Sequence, residues 1–184
     1  QPGLVGNHRP SRRLDPARTV TARFIIGALE AKHDRKAFSC GVYALDRYLK
    51  EQAGQDIKRR AAMCYVAHVP DSGRIAGYYT LSAGDMALKD MPDDVAKRLP
   101  RYPVIPVARV GRLAIDKDLQ GQRLGAAMLW DAANRALRAE MGVFALAVDA
   151  KDEPAATVYR HFGFVACASK PQQLFLPLAT AAKA

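Results

Sequence analysis

Much of what would announce a familiar chemistry is missing from this sequence. The three cysteines, Cys40, Cys64 and Cys167, form no C-x-x-C pair and cannot all be bridged within the chain, so a reducing cytoplasm is the simplest setting. Four scattered histidines have no metal-ligand spacing, and no metal is expected. There is neither a Walker loop nor a G-x-S-x-G elbow, which removes the usual signs of nucleotide hydrolysis and of serine hydrolases. No run reaches transmembrane length, and no secretory core follows the basic start, so no membrane is expected. Internal repeats are absent. Acidic residues are also outnumbered: 18 Asp and Glu stand against 28 Lys and Arg, for a net charge of +10 and a pI near 9.8. An excess of that size points to a polyanionic partner, and speaks to association rather than to fold.

What remains is a globular core. A chain of 184 residues with 49% apolar residues suits one domain, expected here from Val20 to Ala184. Residues 1–19 are polar, proline-bearing and basic, with no apolar period, and read as a flexible lead-in. Thr21 to Leu29 is the first strand candidate. Ser39, after Phe38, is the residue type that caps a helix, expected from Ala44 to about Ile57 with Leu45, Tyr48, Leu49, Ala53 and Ile57 on one face. It ends in Lys58-Arg59-Arg60. That cluster serves either as dipole compensation and solvation or as nucleic-acid contact. Ala61 to Val69 and Arg74 to Leu81 read as a hairpin about the turn Pro70 to Gly73. Met86 to Pro103 is a polar excursion with a short helix near Pro92 to Leu99, Gln173 to Leu178 a last strand, and Ala179 to Ala184 a fraying tail.

The informative stretch runs from Val107 to Leu129. Val107 to Ile115 is β-branched and aliphatic, as a buried strand should be, and Asp116-Lys117-Asp118 breaks it. Gln120 to Ala126 then opens a helix with Leu124, Met128, Ala132 and Ala136 in one row and Leu129, Ala133 and Leu137 beside it. A glycine-containing turn that enters a helix leaves backbone N–H groups unpaired, and these with the helix dipole favour a phosphate. Gly142 to Asp149 is another strand-like run. A short helix follows, with Asp152 to cap it, Pro154 in its first turn, Arg160 and His161 in its last, and Gly163 to stop it.

The order strand, Q-G-x-x-L-G-A, helix resembles the acetyl-coenzyme A signature of the GCN5-related N-acetyltransferases (GNAT), usually Q/R-x-x-G-x-G/A. Downstream, A-A-T-V-Y-R-H-F-G-F over Ala155 to Phe164 is similar to that family's A-x-x-x-Y-x-x-x-G-F. F-S-C-G, L-x-x-Y-L, Q-A-x-Q-D, G-Y-Y-T-L-S-A-G (Gly77 to Gly84), G-R-L-A-I-D and A-K-D-E narrow the resemblance to one branch, the toxins of bacterial type II toxin–antitoxin pairs. It covers roughly Phe24 to Leu178. The resemblance implies the GNAT fold, an α/β (α+β) architecture with a mixed, largely antiparallel sheet flanked by helices on both faces. It implies acetyl-CoA at Leu113, Ala114 and Ile115 and at Gln120, Gly121, Gln122, Arg123, Leu124, Gly125 and Ala126, with Asp152 and Ala155 nearby. Tyr159 becomes the catalytic acid for the departing thiolate rather than a tyrosine merely packed under the sheet. For the branch, the implied substrate is aminoacyl-tRNA, acetylated at its α-amine so that translation is blocked. The implied partners are a ribbon-helix-helix antitoxin and a second copy of the chain. Lys58, Arg59 and Arg60 are the tRNA candidates. Two positions depart from the broader pattern: Arg123 stands at a motif glycine, adding a cation beside a phosphate site, and Asp152 stands where an asparagine often contacts coenzyme A.

Acetyl transfer in a ternary complex needs a held thioester, a neutral amine and a proton for the leaving sulfur. Splaying of Leu113 to Ile115 from a neighbouring strand would free N–H groups for the pantetheine and thioester oxygen. Tyrosine, with a reference pKa of about 10, suits the acid role. No carboxylate stands out as a general base. An α-amine, with a pKa of roughly 7.7–8.0 against about 10.4 for lysine, needs the least help in deprotonating. Two alternatives stay open: a GNAT enzyme acting on a small-molecule or protein amine, and a non-catalytic module that binds nucleic acid or a partner.

Overall fold

The computed structural model describes residues 23–182. The basic lead-in expected over residues 1–19, and the first two residues of the strand expected from Thr21, lie outside them. The order of elements is β1 (Ile25–Ala28), α1 (Tyr43–Arg47), α2 (Ala53–Lys58), β2 (Met63–His68), β3 (Ile75–Ala87), α3 (Asp93–Ala96), β4 (Val104–Ile115), α4 (Leu124–Leu137), β5 (Ala145–Asp149), α5 (Glu153–His161), β6 (Val165–Ala166), β7 (Gln173–Pro177) and α6 (Leu178–Ala181).

Seven strands form one sheet in the order β1-β2-β3-β4-β5-β7-β6. Every pairing is antiparallel except β4 with β5, whose connection is long enough to carry α4 across one face. Two-residue alternation then divides the interior. On one face Tyr79, Val110, Leu146 and Leu174 pack beneath α4, α5 and α6. On the other, Tyr78 and Ala114 pack beneath α1 and α2, and Val107, Ala147 and Phe175 beneath the excursion that holds α3. This is the mixed, largely antiparallel sheet with helices on both faces that the resemblance implied.

Several boundaries differ from expectation for identifiable reasons. The helix read as Ala44 to Ile57 is interrupted by a π-helical turn over Tyr48–Gln52, which seats Tyr48 and Leu49 in the core while Tyr48 donates to Asp56 at 2.8 Å. Ser39 does not cap it. The residue at the cap is Val42, and Ser39 Oγ and Cys40 N instead bond the carboxylate of Asp46 at 3.1 and 2.8 Å. Strand β3 continues to Ala87, well past Leu81, because Ser82 to Ala87 pair with β4 from Arg109 back to Val104 instead of leaving the sheet. Met86 is thus strand, and the excursion begins later. Leu137 on the ridge of α4 is exposed, whereas Leu129 and Ala133 are buried. At the other end, Leu178, expected to close the last strand, instead opens the helix Leu178–Ala181, which buries Leu178 and Ala181, so the tail is docked at Ala181 where fraying was expected.

Candidate active site

The site begins where two parallel strands part. Strands β4 and β5 pair only from Val107 with Ala145 to Val110 with Val148, and β4 then runs on to Ile115 paired with β3 alone. A β-bulge at Thr80/Leu81 makes Gly111, the first residue past that pairing, the extra one on β4. Bulges raise local twist and re-aim a strand, so β4 turns away from β5 at this point. A side chain could not sit easily at the turn-away: a Cβ on Gly111 would lie 3.1 Å from Thr80 Oγ1. The N–H groups on the free edge of Leu113 to Ile115 have no partner strand on the β5 side.

Beneath that edge lies a cleft of about 1010 Å³. Leu113 and Ile115 line it from the sheet, Leu124, Leu129 and Trp130 from α4, and Ala155, Val158, Tyr159 and Phe162 from α5. The turn into α4 closes one end. Gly121 (φ 77°) and Arg123 (φ 59°, ψ 13°) both sit in the left-handed region, and Arg123 occupies the cap position without any side-chain cap bond. The first bond of the helix ladder runs from Ala127 N to Arg123 O, so the N–H groups of Leu124, Gly125 and Ala126 precede it and have no acceptor within the helix. Gly125 leaves the approach clear, since a Cβ there would find nothing nearer than Ile115 at 4.0 Å. An apolar trough that ends in free N–H groups, a helix dipole and a guanidinium matches a ligand with an apolar arm and an anionic end.

Of the residues read from the sequence as cofactor-binding, Leu113, Ile115, Gln120, Gly121, Arg123, Leu124, Gly125, Ala126 and Ala155 line the cleft together with Tyr159. Three do not. Ala114 alternates to the opposite face and packs with Tyr78 and Phe38. Gln122 turns outward, within 3.4 Å of Arg23. Asp152 is the cap of α5, its carboxylate accepting from Ala155 N at 2.8 Å, which leaves it a structural duty. Gln120 lines the mouth, but its amide is spent on Cys40 O at 3.1 Å and Ile115 O at 3.2 Å, pinning the turn to the strand. Trp130, Val158 and Phe162 were not singled out from the sequence. Trp130 falls four residues after Ala126, Val158 three after Ala155 and Phe162 three after Tyr159; that spacing was the available signal, and it reads equally as core.

Tyr159 is partly buried, with its ring tilted against Phe164 at 5.5 Å between centroids. Burial raises its pKa above the ordinary value, so the phenol keeps its proton throughout the neutral range. A protonated, desolvated hydroxyl facing a cleft is equipped to donate. On the far side of the sheet stand cations: Arg112 lies over the Tyr48 ring at 3.7 Å, Arg109 pairs with Asp149 at 2.6 Å, and Lys58, Arg59 and Arg60 are exposed at the end of α2. The cation cluster therefore lies away from the cleft, on the side of the sheet that α1 and α2 cover.

The model of the Acetyltransferase (GNAT) family matches residues 29–164. The chain belongs to that family. A tRNA-acetylating toxin of Mycobacterium tuberculosis (strain ATCC 25618 / H37Rv) is 34% identical over 145 residues, which is 78% of this chain and 85% of the relative. The solved structure of AtaT complexed with acetyl-methionyl-tRNAfMet superposes with a TM-score of 0.80 at 29% identity, covering 87% of this chain and 98% of the other. A tyrosine-to-phenylalanine variant of AtaT, bound to the C-terminus of the antitoxin AtaR and to acetyl-CoA, superposes with a TM-score of 0.74 at 27% identity, covering 88% and 97%. The fold of the chain is thus shared with toxins solved in complex with acetyl-methionyl-tRNAfMet, and with an antitoxin C-terminus and acetyl-CoA. Among the described residues no helix is long and apolar enough to cross a membrane.

Proposed function

We propose that this GNAT acetyltransferase transfers acetyl from acetyl-CoA to the α-amine of aminoacyl-tRNA and so blocks translation. The observation that carries the reading is the cleft itself, an apolar trough running from free N–H groups on α4 to the protonated Tyr159. Acetyl-CoA would supply the activated acetyl group. The chain's own residues do the rest. Leu124, Gly125 and Ala126 present N–H groups to the pyrophosphate, with Arg123 beside them. The free edge of Leu113 to Ile115 holds the pantetheine arm and polarises the carbonyl oxygen. Tyr159 gives its proton to the departing sulfur, and the surrounding apolar side chains exclude water.

The tRNA reading draws on the +10 charge, on the exposed Lys58, Arg59 and Arg60, and on the names borne by the similar toxins. By the same likeness the chain works in the cytoplasm as one catalytic domain from residue 20 onward, pairs with a second copy, and is neutralised by a ribbon-helix-helix antitoxin.

The test incubates the protein with labelled acetyl-CoA and either aminoacylated or deacylated tRNA. Label should enter only the aminoacylated pool, at its α-amine. Labelling of a lysine peptide or of free amino acids instead would replace the tRNA reading with a small-molecule or protein amine. For the cofactor, calorimetry on Gly125→Trp should show binding abolished, because the indole would fill the approach that Gly125 leaves open.

A further inference from the structure

The sequence offered no general base, and most carboxylates near the site are already committed. Asp152 caps α5, Asp116 is buried and accepts from Ser39 N, Asp118 N and Arg74, and Asp131 takes the Tyr79 hydroxyl at 2.6 Å and Arg135 at 2.8 Å. Asp90 is buried and bonded to Ser169 and Lys170. One carboxylate is placed differently. Asp149 is the first residue of β5 past its last pair with β4, at the point where the two strands part.

Alternation from Ala145 and Ala147 puts Asp149 on the face opposite the cleft. It is steered from both neighbouring strands. Arg109 Nη1 of β4 reaches Oδ2 at 2.6 Å, and Gln173 Nε2 of β7 reaches Oδ1 at 3.3 Å. The steering groups are fixed in turn, because Arg109 also donates to Asp85 O at 3.1 Å and Gln173 Oε1 accepts from the Cys167 thiol at 3.8 Å. Even so, the Asp149 side chain is 60% exposed, so the carboxylate is oriented but has room for a further donor.

An acceptor that reaches a donor in the cleft through the parting of β4 and β5 comes from the opposite face. Asp149 flanks that approach. Arg112 and the basic end of α2 share its face and suit the phosphates of the same acceptor. An α-amine of pKa about 7.7–8.0 is mostly a cation at neutral pH, and it must shed a proton before it attacks. Tyr159, kept protonated by burial, cannot take that proton.

We propose that Asp149 is the acceptor-side base: it receives the α-ammonium of the aminoacyl group and takes the proton that leaves it. Nitrogen then bonds to the acetyl carbon as the carbon–sulfur bond breaks, and the sulfur leaves with the proton of Tyr159. The nitrogen's remaining surplus proton and the two protein groups re-equilibrate with water. This assignment rests on acetyl transfer to an amine as read above.

The experiment measures initial rates of acetylation of aminoacyl-tRNA by the wild type, Asp149→Asn and Asp149→Glu from pH 6 to pH 8.5, with acetyl-CoA affinity and melting temperature measured in parallel. For Asp149→Asn, kcat/KM should fall by about 10-fold at pH 7 and up to about 100-fold at pH 6, the scarcity of the free amine at those values, with cofactor affinity unchanged. The deficit should shrink as pH rises through about 8, where the amine is already free. Asp149→Glu should recover part of the rate with the wild-type pH profile. A wild-type kcat/KM in Asp149→Asn, or a deficit equal at every pH, overturns the proposal, since a merely structural role for the Arg109 pair predicts the latter. If the wild type acetylates a different amine, the tRNA reading fails, and the same series on that amine still decides for or against Asp149.

Discussion

Met128 of α4 rests where a side chain of Gly77 would be: a Cβ on Gly77 would stand 2.9 Å from Met128 Sδ and 2.8 Å from Ile115 Cδ1. The bare backbone of β3 lets α4 settle onto the sheet and sets how far the helix stands from the cleft floor at Ile115. Gly77→Ala should therefore act on both stability and binding. Overpacking typically costs about 1–3 kcal/mol, and for a chain of this size each kcal/mol lowers Tm by about 2–4 °C. Thermal melting should show a fall of several degrees, and calorimetry a weaker affinity for acetyl-CoA. A variant with wild-type Tm would mean that α4 shifts freely, against this account.

Arg123 should reveal a conflict between fold and ligand. A non-glycine residue in the left-handed region costs about 1–2 kcal/mol, and the motif glycine it replaces would adopt that conformation freely. Arg123→Gly should thus raise Tm by a few degrees while weakening coenzyme A binding through loss of the guanidinium. Melting and calorimetry on the same sample separate the two. Tighter binding in the glycine variant would show that the cation contributes nothing at the phosphate end.

The layout of the site was largely legible because it is local. A strand, a turn with glycines and a helix with one buried row are adjacent in sequence, and the row Leu124, Met128, Ala132 and Ala136 is buried as its spacing implied. Asp152, Pro154 and Gly163 delimit α5 as their chemistry dictates, with Gly163 at φ 88°. What could not be read is what depends on neighbours distant in sequence. The end of β3 was missed because its polar half is held by pairing with β4, and hydropathy alone does not report pairing. The side of the sheet to which Ala114 points hinges on the bulge at Gly111, which resets the alternation. Asp149 looked like the end of a strand, and only the length of the β4–β5 ladder places it at the parting.

Acid should loosen the first-strand end of the sheet through His33. This buried ring lies 4.5 Å from that of His68, its Nδ1 accepts from Glu30 N at 2.9 Å, and its Nε2 has no partner among the described residues. Burial, and then the proximity of His68, lower its pKa below 6.5. Below pH 6.5 the unfolded chain binds a proton that the native state refuses, so stability falls as pH drops from about 6.5 toward 5, by at most about 1.4 kcal/mol per pH unit. Denaturant midpoints from pH 5 to pH 8 should show this slope, and His33→Asn should flatten it. A slope that survives the substitution would assign the effect to other groups.

Tyr159→Phe keeps the ring against Phe164 and removes only the hydroxyl, so the cleft and the affinity for acetyl-CoA should be preserved. Turnover should fall by about 10²–10⁴, the usual worth of a general acid. In the wild type the alkaline limb of kcat should lie above pH 10, because burial raises the Tyr159 pKa and the acid form persists until that value is passed. Wild-type kcat in the phenylalanine variant would remove Tyr159 from the proton path.

The end of α2 separates two roles for the same cation. Arg60 N donates to Ile57 O at 3.0 Å and Ala61 N to Asp56 O at 2.9 Å, the paired bonds of a Schellman cap, and Arg60 takes the left-handed residue's place in it at φ 56°. Glycine is the preferred residue there, so Arg60→Gly should stabilise the fold by roughly 1 kcal/mol and raise Tm by about 2–4 °C. If Lys58, Arg59 and Arg60 serve only to offset the helix dipole, tRNA affinity should not change. If Arg60 contacts a phosphate, binding should weaken, and the log–log dependence on salt should flatten by about 0.7–0.9, the counterions one contact releases. Arg60→Lys keeps the charge and should keep the slope. Filter binding of aminoacyl-tRNA across a salt series reads these outcomes directly. The expected result is a variant that is more stable and binds less well, and an unaltered slope in Arg60→Gly would take this residue out of the tRNA surface.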